Sequence, residues 1–62
     1  MPEWFKVGAK IWFRGFGSET EVLSISEATG SWIGYDADGK HLYPLDEVSE
    51  HWSPHYTGEP NV

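Results

Sequence analysis

Residues 32–45, Trp-Ile-Gly-Tyr-Asp-Ala-Asp-Gly-Lys-His-Leu-Tyr-Pro-Leu, constrain the fold more than any other part of the chain. Two short runs rich in aromatic and β-branched residues flank the dipeptide Asp38-Gly39. Asp-Gly tolerates the positive φ angles of tight hairpin turns, so the segment predicts a β-hairpin. The rest of the chain must supply strands that pair with it, because an isolated hairpin is marginal in water.

A chain of 62 residues makes one small domain. It buries only about 60% of its unfolded surface, so its core has little to spare. Cysteine is absent, which excludes disulfides and thiolate metal sites. Four Trp, three Tyr and three Phe offer the bulk from which a miniature core can be built. Ten rings exceed what so small an interior hides, so some are expected at the surface as an interface or ligand site.

Period-2 alternation over 10–14 places Ile11 and Phe13 on one face and Lys10, Trp12 and Arg14 on the other. Lysine and arginine prefer water, so Ile11 and Phe13 are expected inside and Trp12 outside. Gly15, Gly17 and Ser18 then mark a loop, from which Phe16 projects or folds back as a lid. A second strand runs over 20–26, where the adjacent apolar pair Val22-Leu23 breaks the alternation and suits a bulge. In the hairpin, Ile33 and Tyr35 alternate with Trp32 and Gly34, and Pro44 requires a strand edge or end. Leu45 and Val48, at i and i+3, suggest one helical turn, followed by a brief last strand over 49–52.

The expected organisation is an arm over 1–6 whose Trp4 and Phe5 cap the core, a barrel over 7–52, and a mobile polar tail over 53–62. The expected inner core is Val7, Ile11, Phe13, Leu23, Ile25, Ile33, Tyr35, Leu42, Leu45 and Val48. The fold class is all-β: a small five-stranded barrel, strongly bent, with one helical turn before the last strand. This order resembles the SH3-like barrel superfamily, in particular its Tudor/KOW-like branch. The residues that carry the resemblance are Val7-Gly8-Ala9-Lys10-Ile11, Glu21-Val22-Leu23-Ser24-Ile25, Tyr35-Asp36-Ala37-Asp38-Gly39 and Leu45-Asp46-Glu47-Val48. It covers about three quarters of the chain and says little about activity, since such barrels host many functions.

The formal net charge is −6, with ten acidic against four basic residues. That opposes nucleic-acid binding by phosphate neutralisation; the acidity serves solubility, or marks a surface that meets a basic protein partner or imitates nucleic acid. No apolar run reaches the ~20 residues of a membrane span, and 1–6 lack the pattern of a signal peptide. A cytoplasmic setting, in a bacterium or a phage-infected cell, is expected.

Trp12, Trp32 and Tyr43 are expected on the outer face of the sheet, with Gly34 leaving room beside Trp32 and Asp36 or Asp38 at hand. Tudor-like domains place aromatics of this kind around a methylated cation, using cation–π attraction. The resulting expectation is an interaction module that binds a protein partner, or itself, through Trp12, Trp32, Tyr43 and Asp36, with no cofactor. An acidic inhibitor or DNA mimic acting on a nucleic-acid-binding protein is an alternative.

His41-Leu42-Tyr43-Pro44 is also similar to the active-site strand Val-Gln-Ile-Tyr-Pro of the plasmid-borne type II dihydrofolate reductases. That resemblance implies a tetramer binding NADPH in a shared pore. His41, Leu42 and Tyr43 would line the pore, and Arg14 would stand in for the family's cationic lysine. A single cation in an acidic chain is poorly suited to polyanionic ligands. His51 and His55 have an H-x₃-H spacing, but Pro54 interrupts any helix that would align them for zinc, and Glu50 is the only further ligand nearby. No metal is expected. Asp36-Ala37-Asp38-Gly39 opens like a calcium loop but lacks the remaining ligands, so a turn is the better account. No nucleophile elbow or phosphate-binding glycine loop is present, and Asp46-Glu47 sit on an expected exposed turn.

Overall fold

The hairpin forms as the sequence requires, and the other strands assemble against one of its sides. The computed structural model describes residues 1–56. Five antiparallel strands follow one another: β1 (Lys10–Phe13), β2 (Glu19–Ser26), β3 (Ser31–Asp36), β4 (Gly39–Pro44) and β5 (Trp52–Ser53). Their order in the sheet is β4-β3-β2-β1-β5. Between β4 and β5 the chain makes a 3₁₀ turn, Leu45–Glu47, and one turn of α-helix, Val48–His51. The last strand is therefore shorter and later than the expected 49–52, because the helical turn continues through His51.

The sheet curls into a half-barrel. In a flat sheet of this order, β4 and β5 would lie about 19 Å apart, four strand spacings of ~4.8 Å. Instead the rings of Tyr43 on β4 and Trp52 on β5 meet with centroids 5.1 Å apart. One source of the bend is visible in β2, where the register with β3 shifts between Val22 and Ser24. Leu23 is the extra residue of a bulge, as the broken alternation suggested, and bulges increase local twist. Past the bulge, Ile25 returns to the inner side opposite Trp32.

In the β3–β4 turn, left-handed backbone falls on Gly39 alone, at φ 112°, while Ala37 and Asp38 keep negative φ. The Asp36 side chain supports the turn: its Oδ1 accepts a hydrogen bond from the Asp38 backbone N–H at 2.9 Å. Pro44 ends the edge strand β4, where a missing N–H is tolerated.

The core consists of Phe5, Ile11, Val22, Trp32, Leu45, Val48 and Trp52. Trp4, Ala9, Phe13, Ile25 and Tyr43 pack against it. Phe5 of the N-terminal segment touches Trp32 edge-on, with centroids 5.2 Å apart, and belongs to the core itself. Leu45 and Val48 turn inward from the helical connection.

The hairpin, however, faces the opposite way from the expectation. Trp32 and Gly34 point in; Tyr35 and Leu42 point out, 51% and 70% exposed, and Ile33 is only half-buried. Val7 is exposed and Leu23 half-buried at the bulge. The physical reason is volume. The concave side of so tight a curl accepts one large ring beside a residue with no side chain, and Trp32–Gly34 supplies that pair. Residues 57–62, most of the expected mobile tail, lie outside the described residues. Ser53, its first residue, is buried in β5.

Candidate functional site

Four rings from separate parts of the chain converge at one end of the half-barrel. Phe13 ends β1, Phe16 projects from the β1–β2 loop, Tyr43 comes from β4 and Trp52 opens β5. Together with Asp36, Asp38 and neighbouring loop atoms they line a cleft of about 310 Å³. Phe13 stands at the centre of the aromatic wall, edge-on to Phe16 at 5.3 Å and to Trp52 at 5.1 Å. Phe16 folds back over Phe13 yet remains 61% exposed, so it forms an accessible rim. Tyr56 lies against the same loop: a Cβ added at Gly17 would sit 3.2 Å from its ring.

The opposite rim is acidic. Tyr43 Oη donates to Asp36 Oδ2 at 3.3 Å, tying the ring to the turn. Burial, followed by the charge and hydrogen bond of Asp36 and the charge of Asp38, pushes the Tyr43 phenol above its ordinary value. The neutral form of the phenol is thus favoured at this rim. No lysine or arginine lines this cleft. His41 lies at the side of the rim, its Nε2 3.6 Å from Asp36 Oδ1. A second, shallower depression, lined by Lys10, Glu19, Glu21, Tyr35 and Asp36, borders the same turn.

Of the residues expected to form a binding surface, Tyr43 and Asp36 are brought together by a hydrogen bond. Trp32 is not beside them at the surface. It is 1% exposed, enclosed by Phe5, Tyr43 and Trp52 at 5.2, 4.7 and 5.0 Å, and is a core residue. The room expected next to Gly34 is filled: a Cβ there would lie 2.6 Å from Thr20 Cγ2 and 2.7 Å from the Trp32 ring. The buried Trp32 Nε1 has no hydrogen-bond partner among the described residues, a cost to stability of about 1–3 kcal/mol. Trp12 is half-buried, opposite Ser53 of β5 and Glu19 of β2. It does not line the aromatic cleft.

The strand similar to the reductase motif divides between faces. Leu42 points out, whereas Tyr43 points in and His41 is exposed beside Asp36. Arg14 reaches the Ser49 carbonyl oxygen of the helical turn at 3.5 Å. Asp36, Asp38 and His41 each offer a metal-ligand atom, and these atoms lie within 4.8 Å of one another. Both Asp36 oxygens already accept hydrogen bonds, from Asp38 N–H and the Tyr43 hydroxyl. His51 and His55 form no group of three ligands among the described residues.

Comparison with known proteins returns no match: no family model fits the chain, and no curated protein or solved structure is significantly similar to it. Among the described residues, no helix is long and apolar enough to cross a membrane.

Phe13, Phe16 and Trp52 line the cleft but were not among the residues expected to form the binding surface. Phe13 shares the inner face with Ile11 but lies at the strand's end, where the wall of a barrel becomes its mouth. Phe16 carried the clearest signal, a large ring between two glycines in a loop.

Proposed function

We propose that this protein is a small interaction module of SH3-like architecture that grips a lysine or arginine side chain of a protein partner in the aromatic cleft. The observation that carries this reading is the convergence of Phe13, Phe16, Tyr43 and Trp52 with the carboxylates of Asp36 and Asp38, in a cleft lined by no lysine or arginine. Ring faces attract a cation, and the attraction grows when the cation is partly desolvated. The carboxylates supply the counter-charge. The formal charge of −6 steers basic partners toward the molecule and repels nucleic acid. Phe16, whose backbone N–H bonds the Phe13 carbonyl at 2.9 Å while its ring stays exposed against Phe13, is suited to close over the aliphatic stem of the bound side chain.

The test is an NMR titration with short peptides containing arginine, lysine, trimethyl-lysine, citrulline or acetyl-lysine. Cationic peptides should shift the resonances of Phe13, Phe16, Tyr43 and the Trp52 indole, and added salt should weaken them. The neutral analogues should not bind. Phe16→Ala and Asp38→Asn, both at exposed positions, should each weaken binding several-fold while leaving the fold intact. Equal binding of citrulline and arginine peptides would refute the reading. The ratio of trimethyl-lysine to lysine affinity decides whether methylation is read.

A further inference from the structure

The two edges of the sheet are unequal. β5 is two residues long and is followed at once by Pro54. β4 is six residues long, Gly39–Pro44, and among the described residues pairs only with β3. Such an edge is a template for another strand unless something covers it.

The hydrogen-bond phase of β4 shows which groups it offers. Leu45 N–H donates to Gly30 C=O at 2.9 Å, continuing the β3–β4 register by one pair. In an antiparallel ladder the hydrogen-bonded pairs recur every second residue. Tyr43, His41 and Gly39 therefore direct their backbone groups toward Trp32, Gly34 and Asp36. Lys40 and Leu42 direct theirs away from the sheet, and so does the Pro44 carbonyl. The one residue without an N–H occupies an outward position, so β4 keeps its bonds to β3 in full.

We propose that β4 pairs with β4 of a second copy, antiparallel about a two-fold axis at Leu42, joining two half-barrels into one continuous sheet. In this register the two Leu42 residues exchange N–H···O=C bonds. Each Lys40 N–H donates to the Pro44 carbonyl of the other copy, which is the only backbone bond Pro44 can make there. The side chains agree with the backbone. Leu42 is 70% exposed, and its outer face also carries Ile33, opposite it, and the exposed Tyr35. Pairing two copies joins these into one apolar strip.

Charge selects both the partner and the register. In a strongly acidic chain, the segment Gly39–Pro44 carries Lys40 and His41 and no carboxylate. Centring on Leu42 sends the two lysines to opposite ends. Each then lies opposite the other copy's Pro44, two and three residues before its Asp46 and Glu47 at the start of the helical connection. The alternative pairing of Lys40 with Leu42 would also satisfy the backbone, but it brings the two lysines to diagonal positions about 7–8 Å apart. A contact of this length falls below the ~1,200 Å² of standard interfaces, so the dimer is weak and builds up with concentration.

The chain's lack of cysteine makes the test direct. Residues facing each other in a hydrogen-bonded antiparallel pair have Cα atoms about 5.5 Å apart, within disulfide range. Leu42→Cys should oxidise to a covalent dimer about tenfold faster than Ala28→Cys, an exposed control in the β2–β3 turn. The unmodified protein should show concentration-dependent dimerisation by sedimentation. Leu42→Asp should abolish it without changing the circular dichroism or the melting curve. Equal oxidation of the two cysteine variants, a dimer that survives Leu42→Asp, or a monomer at millimolar concentration would each overturn the proposal.

Discussion

Replacing Gly34 by alanine sets two physical effects against each other. Gly34 has no left-handed φ, so alanine fits its backbone. By chain entropy alone, the substitution should stabilise the protein by about 0.4–1 kcal/mol, since alanine restricts the unfolded state. Packing says the reverse. The new Cβ would lie 2.6 Å from Thr20 Cγ2, 2.7 Å from the Trp32 ring and 3.0 Å from the Tyr43 ring. Two of these are about 1 Å inside the ~3.5–4.0 Å optimum for carbon atoms. None of the neighbours gives way easily. Thr20 is buried, and Trp32 is held by Phe5, Tyr43 and Trp52.

Overpacking of this kind costs about 1–3 kcal/mol and occasionally more. With two contacts this short the cost falls near the upper end, about 3 kcal/mol. Steric repulsion thus outweighs the entropic gain, and a net loss of about 2 kcal/mol is expected. A domain of this size has roughly 3–9 kcal/mol in total. At about 4–8 °C per kcal/mol, the melting temperature should fall by about 10 °C. Urea unfolding at matched concentration measures the difference. Thr20→Ser removes the methyl nearest the new Cβ, so the double variant should recover part of the loss, with a coupling of about 0.5 kcal/mol or more. A Gly34→Ala protein as stable as the original, or more so, would show that the concave side is looser than these distances imply.

Stability should also decline at alkaline pH through Tyr43. Its phenol is raised above the ordinary value by burial and by Asp36 and Asp38, so the native state keeps a proton that the unfolded chain releases. The contribution is fully present below the ordinary phenol pKa of about 10 and is lost as pH climbs through the raised native value. Tyr43→Phe should flatten the alkaline limb of a urea-midpoint profile; an unchanged slope would exclude Tyr43 as its source. Truncation should separate inner from outer apolar residues. Phe5→Ala opens a cavity against Trp32 and should cost about 3–5 kcal/mol. Leu42→Ala, measured on dilute monomer, should stay within about 0.5 kcal/mol. Comparable losses would mean that the hairpin faces the other way.

The strands themselves were legible in the chain because each has a local cause. Asp36 to Gly39 close a turn through a side-chain acceptor and one left-handed glycine, and Val22-Leu23 disturb an alternation that the bulge explains. Pro44 excludes an inner strand, and Leu45 with Val48 mark the helical turn. The aromatic cleft was legible only in part. Tyr43, Asp36 and Asp38 belong to one hairpin, but Phe13, Phe16 and Trp52 join them only after the sheet curls and brings β5 round to β4.

Sequence alone could establish the order and pairing of the elements, since turn chemistry and period-2 patterning act over a few residues. It could not choose the buried side of the hairpin. Trp32 and Ile33, or Tyr43 and Leu42, are adjacent residues of similar hydrophobicity on opposite faces, so alternation is satisfied either way. That choice belongs to the tertiary structure, where a tightly curved wall accommodates a large indole only beside a residue with no side chain. Gly34 provides that space two residues along the strand, and with it decides which rings support the fold and which remain at the surface.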